Sequence, residues 1–150
     1  MDKRMINRFF ADTNIIIRLL TGEPKEQAYK ARELFLLAEE GKISIIVDPI
    51  IIAEIIWVLS NQSYGISKYD LAISLQKFLK LDGVFINEEN VINDALNEFM
   101  NNNVDYIDAY LSCLAKSKSN TPIVTWNLKH FKKMPSENYK PEEIISSINE

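Results

Sequence analysis

Ile43-Ser44-Ile45-Ile46-Val47-Asp48-Pro49-Ile50-Ile51-Ile52-Ala53-Glu54-Ile55-Ile56-Trp57-Val58-Leu59 contains the transition that decides the fold class. The β-branched run Ile43–Val47 predicts a strand ending at Asp48, and Pro49 suits the first turn of a helix. That helix is expected to run to about Ser60, with Glu54 its one charged side chain. A helix apolar all round is largely buried. An ionised Glu54 there is costly unless a metal or partner compensates it, or its oxygens reach the solvent rim.

The same strand-then-helix grammar recurs outward from this stretch. Arg8-Phe9-Phe10-Ala11 reads as a first strand ending at Asp12, followed by a helical turn or two over Ile15–Leu20 closed by Gly22. Pro24–Glu40 carries Ala28, Ala31, Leu34, Phe35 and Ala38 at helical spacing, with Gly41 as its stop. Ser67 caps a helix bearing Leu71, Leu75, Phe78 and Leu79, and Val84–Ile86 forms a third strand. Helices over Glu88–Asn101 and Asp105–Ser117 come next, then a fourth strand, Ile123–Thr125. A short helix at Leu128–Phe131 and a terminal one at Pro141–Ile148 complete the pattern. Strands alternating with helices predict an α/β fold with a mostly parallel sheet covered on both faces. Without repeat, low-complexity segment or linker, the expectation is a single domain over residues 1–150.

Composition narrows the function classes. The chain has 150 residues, 47% of them apolar and 25% charged, which fits one globular domain and argues against disorder. One cysteine, Cys113, excludes an internal disulfide, and one histidine, His130, excludes a site needing two imidazoles. Arg8, Asp12 and Arg18 break up the apolar residues after the basic start, so neither a signal peptide nor a membrane span is expected, and the cytoplasm is the expected compartment. The net charge of −4 argues against coating nucleic acid through charge alone. Yet Ala109–Ser136 contains no Asp or Glu and does contain Lys116, Lys118, Lys129, Lys132 and Lys133. These lysines either solvate a helix and loop or face RNA phosphates.

Sites in parallel sheets form beyond the carboxyl ends of the strands. Asp12 stands there, as an N-cap or as a catalytic acid. Asp105 and Asp108 are three apart and share a helix face, Asp105 also suiting an N-cap. Together with Glu54 these carboxylates form a hard-oxygen set suited to Mg²⁺ or Mn²⁺ and not to zinc. Such ions activate water and clamp phosphodiester oxygens.

Phe9-Phe10-Ala11-Asp12-Thr13-Asn14, Ala53-Glu54, Val104-Asp105-Tyr106-Ile107-Asp108-Ala109-Tyr110-Leu111 and Ile123-Val124-Thr125-Trp126-Asn127 resemble, in order, the PIN-domain signature. At this length the chain is similar to the VapC-like toxins of toxin–antitoxin pairs. The resemblance implies a three-layer α/β/α sandwich around a central four- or five-stranded sheet, and a Mg²⁺- or Mn²⁺-dependent ribonuclease. It implies Asp12, Glu54 and Asp108 as metal-site acids and Asp105 as an accessory catalytic acid. Asn14 would support the site through its amide, and Thr125 would lie beside it. It further implies a homodimer and an antitoxin partner, with the helix around Trp57 and the Tyr64 region as a surface for dimerisation. Asn127 stands where many members carry Asp; it offers an oxygen without charge, or it caps the helix beginning at Leu128. Asn127 also motivates a competing expectation, a PIN-fold RNA- or protein-binding module with little catalysis. His130 is read as a packing residue beside Phe131 or as a phosphate contact, and Cys113 as core.

Overall fold

The computed structural model describes residues 6–150; the basic start of the chain, Lys3 and Arg4, lies outside them. The chain divides into two compact units, the first reaching to Glu89 and the second running from Asn90 to Glu150.

In the first unit, β1 (Arg8–Phe10), β2 (Ser44–Val47) and β3 (Val84–Ile86) form a three-stranded sheet in sequence order. Both pairings are parallel, Phe9 opposite Ile45 and Ile45 opposite Val84. The helices that return the chain between parallel strands are α1 (Thr13–Thr21), α2 (Lys25–Glu39), α3 (Pro49–Leu59) and α4 (Lys68–Leu79). A 3-10 turn, Gln62–Tyr64, precedes α4. Gly22, in the left-handed conformation, ends α1 by donating its N–H to the Arg18 carbonyl. Asp48 caps α3 through Ile50 N–H, and Ser67 caps α4 through Asp70 N–H. Ile45 and Val47 of β2 are buried, as are Ile16, Ile17, Phe35, Ile55 and Leu75 on the helices, which together form this unit's core.

Phe10 and Phe85 flank Ile46 in register and are 76% and 56% exposed, whereas Ile45 and Val47, pointing the other way, are buried. Strand alternation puts Ile45 and Val47 on one side of this sheet and Phe10, Ile46 and Phe85 on the other.

Gly83 sets how closely α2 approaches the sheet. Its φ of +83° is left-handed, and a Cβ there would collide with the backbone carbonyl of Ala38. Its own carbonyl accepts the Ile45 N–H at 2.8 Å, so the residue cannot shift without cost to the β2–β3 pairing.

The second unit holds α5 (Glu89–Asn101), whose first residue belongs to the preceding unit, α6 (Tyr106–Ser117), β4 (Ile123–Val124), α7 (Leu128–Phe131), β5 (Asn138–Tyr139) and α8 (Pro141–Asn149). The fourth strand is shorter than predicted, and β5 was not legible in the sequence. Five strands are present among the described residues, but they form no single four- or five-stranded sheet; they divide three and two. In the second sheet Ile123 N–H donates to the Glu137 carbonyl and Thr125 N–H to that of Tyr139. A buried serine relay holds β5 in place: Ser112 Oγ donates to Ser136 Oγ at 2.7 Å, and Ser136 Oγ to Asn138 Oδ1 at 2.7 Å. Among the described residues no helix is long and apolar enough to cross a membrane.

Gly83→Ala is expected to lower stability by about 2–4 kcal/mol, from left-handed strain plus overpacking, as read by urea unfolding. Burial pushes the Cys113 thiol up to about 11. The folded state therefore holds a proton that the unfolded chain releases near pH 9, so this group's contribution to stability declines as pH rises from 9 towards 11. Iodoacetamide should label Cys113 slowly in the native protein at pH 8 and rapidly after unfolding.

Candidate active site

Asp12 follows β1 directly. The ladder continues one residue past the strand, Ala11 N–H donating to Ile46, and the backbone of Asp12 is extended (φ −83°, ψ 161°) before α1 begins. Its Oδ1 accepts the backbone N–H of Asn14 at 2.7 Å, so Asp12 is an N-cap, while Oδ2 has no partner among the described residues. The contact between Asn14 and Asp12 runs through the backbone of Asn14, not through its side-chain amide.

Glu54 is exposed, contrary to the burial expected for it. The reason is helical spacing: Ile50, Glu54 and Trp57 share one outward stripe of α3, with Ile50 71% and Trp57 80% exposed. The buried stripe is Ile52, Ile55, Ile56 and Leu59. An all-apolar composition therefore conceals a solvent-facing side, and desolvation gives no argument for a role of Glu54. What singles Glu54 out is a hydrogen bond. Thr13 Oγ1, on a residue only 7% exposed, donates to Glu54 Oε2 at 2.8 Å across 41 residues of sequence. Thr13 directly follows Asp12, so one hydroxyl links the carboxylate of α3 to the first turn that Asp12 caps. Sequence reasoning passed over Thr13; its adjacency to Asp12 was the available signal.

In the second unit Asp105 stands at the N-cap of α6, exposed and without a side-chain capping bond. Asp108 lies in the first turn, half exposed, its Oδ2 3.1 Å from His130 Nε2. The two atoms are close without being aligned as a hydrogen bond. His130 also meets the Phe131 ring edge-on. Its position is set by α7, whose N-cap is Asn127: the Asn127 Oδ1 accepts His130 N–H at 3.3 Å, and Asn127 N–H donates to Thr125 Oγ1 at 2.9 Å. Thr125 and Asn127 thus build the turn that presents His130 to Asp108. Lys116, Lys118, Lys129 and Lys132 are all exposed. Trp126, 73% exposed, donates from Nε1 to Glu142 at 2.6 Å.

Among the described residues of either unit, no three His, Cys, Asp or Glu side chains gather as a ready metal cage. Magnesium does not require one. It keeps several waters and is commonly held by one or two carboxylates together with substrate phosphates. The Asp12 and Glu54 carboxylates, all-oxygen and joined through Thr13, match that donor chemistry.

A family model for the PIN domain matches residues 9–136, from β1 through the serine relay. The chain belongs to the PIN domain family. PIN domains are in general nucleases, hence hydrolases, and generally use divalent metal ions. Comparison with curated proteins gives no match.

A double-mutant cycle of Thr13→Val and Glu54→Met, neither of which can form the bond, should return a coupling energy of about 1.5–3 kcal/mol by chemical denaturation, the size of a hydrogen bond to a charged group. Additive effects would mean that the hydroxyl does not position Glu54.

Proposed function

We propose that this PIN domain is a Mg²⁺- or Mn²⁺-dependent endoribonuclease and the toxin of a toxin–antitoxin pair. The observation that carries the reading is the Thr13–Glu54 hydrogen bond, which joins Glu54 to the residue directly after Asp12, at the carboxyl end of a parallel strand, in a chain of the PIN family. Asp12 and Glu54 are the acids that hold the cation, with Asp108 a third metal acid and Asp105 an accessory one. Bound there, a divalent cation supplies charge neutralisation at the phosphate and a more acidic water.

The protein's own residues supply the rest. Asp12, whose Oδ1 accepts the Asn14 N–H, presents an Oδ2 that has no partner among the described residues. Glu54 is steadied by Thr13. Asp108, beside His130, is assigned to orienting the attacking water, whose oxygen bonds to phosphorus while its proton passes to solvent, as the bond to the 3′ oxygen breaks and that oxygen takes up a proton from solvent. The exposed lysines Lys116, Lys118, Lys129 and Lys132 offset repulsion between the acids and the RNA backbone. In this reading the protein works in the cytoplasm as a homodimer, and an antitoxin silences it.

The second reading is a PIN-fold module that binds RNA or protein with weak or no catalysis. It is favoured by Asn127, which lacks the negative charge and whose side-chain oxygen is already engaged in capping α7.

The deciding experiment is cleavage of a labelled RNA pool by the purified protein with Mg²⁺, with Mn²⁺ and with chelator. Cleavage should require the cation and fall at least about a hundredfold in Asp12→Ala, the scale of losing a principal charge-stabilising group. An Asp12→Ala protein as active as the parent would overturn the assignment. RNA binding without cleavage under any metal, and gain of cleavage in Asn127→Asp, would favour the second reading.

A further inference from the structure

Arg18 lies in the last turn of α1 and lines two adjoining clefts of the first unit, one of about 690 Å³ and one of about 760 Å³. The first cleft, between α1 and α2, also presents Asn14, Gln27 and Lys30, with Glu26 as its one acid. The second is bounded by Pro24 and Tyr64, with Glu23 as its one acid. Four residues separate Asn14 from Arg18, about 6 Å along the helix axis, so the first cleft starts beside the residue that fixes Asp12.

The chemistry of Arg18 is unusual for a half-buried cation. Its Nε donates to the neutral Gln27 Oε1 at 2.7 Å, and it forms an ion pair with neither Glu23 nor Glu26. A guanidinium oriented by an amide keeps its full charge and leaves both terminal nitrogens as a planar fork, the geometry that grips phosphate through two bonds. Lys30 is exposed and adds a second cation to the first cleft, giving it a net positive charge. The second cleft is charge-balanced and offers an aromatic ring, Tyr64, 44% exposed. Cationic and aromatic surfaces side by side are the combination that tracks single-stranded nucleic acid, whose phosphates and bases alternate.

We propose that single-stranded RNA lies along these clefts, a backbone phosphate on Arg18 and Lys30 and a base stacked on Tyr64. The proposal rests on the ribonuclease reading for its choice of RNA, and it adds a substrate track on α1 and α2 distinct from the lysines of the second unit. An acidic peptide would also satisfy Arg18, and the polyglutamate competition below distinguishes it from RNA.

The test measures binding apart from cleavage. Fluorescence anisotropy of a short, labelled, single-stranded RNA of randomised sequence is followed in chelator, with the full chain and with Arg18→Met, Arg18→Lys, Lys30→Met and Tyr64→Leu, each checked for folding by circular dichroism. Arg18→Met should weaken binding about tenfold and reduce the slope of log affinity against log salt by about 0.7, the value for one phosphate contact on a single strand. Arg18→Lys should retain the slope and lose part of the affinity. Tyr64→Leu should weaken binding about tenfold with the slope unchanged. Folded variants that bind as the parent does, a parent that does not bind, or displacement of the RNA by polyglutamate at matched charge would each overturn the proposal. A parent that binds through Arg18 yet cleaves nothing would defeat the ribonuclease reading alone. Cleavage unaffected by Arg18→Met, with binding also unaffected, would defeat the clefts alone.

Discussion

The hydroxyl of Thr13 reaches Glu54 across 41 residues of sequence, and the organisation of the first unit's acids depends on that contact. Thr13 is buried because Ala11 extends the β1–β2 ladder and turns the chain inward before α1 begins. A buried hydroxyl without a partner would be unfavourable, and a carboxylate oxygen is a strong acceptor for it. Glu54 meets that hydroxyl while remaining on the exposed stripe of α3. The interaction that satisfies a buried polar group is thus the one that brings an acid to the carboxyl edge of the sheet.

The second unit reaches a comparable result by different means. Its strands are two residues each, too short to define a register by ladder alone, and three side chains do what the ladder cannot. Ser112, Ser136 and Asn138 form a chain of hydrogen bonds from α6 to β5, while Thr125 and Asn127 shape the turn into α7. His130 then stands against Asp108 because α7 is capped by Asn127. An aspartate at 127 would serve the same cap while adding a charge, so the asparagine keeps the architecture and lowers the local negative potential.

Much of the architecture was legible because strong local signals agreed. The β-branched run before Asp48-Pro49, the Ser67 cap, and Gly22 and Gly41 after their helices mark boundaries that the structure keeps within a residue or two. Three features were hidden. β5 is only Asn138–Tyr139 and owes its existence to a serine relay formed between residues 24 apart. Glu54 looked buried because composition carries no direction, and only the helical wheel separates Ile50, Glu54 and Trp57 from Ile52, Ile55 and Leu59. The strand-end aspartates are a subtler case. Asp12 and Asp48 come directly after neighbouring parallel strands and accept the N–H two residues on in the same way, at 2.7 and 3.0 Å. The capping bond is the same at the two positions; what distinguishes them is the next residue, Thr13 against Pro49, and the distant partner that Thr13 finds.

The terminal helix α8 buries none of its residues. Pro141 at its first turn, Glu143 reaching back to Lys140 N–H and the Trp126–Glu142 bond hold it from one end only. Its stability is therefore largely uncoupled from the core, and its amide protons should exchange through local fraying far more readily than those of α5 or α6. A segment so loosely tethered can have its outward positions rewritten over generations with little penalty to folding.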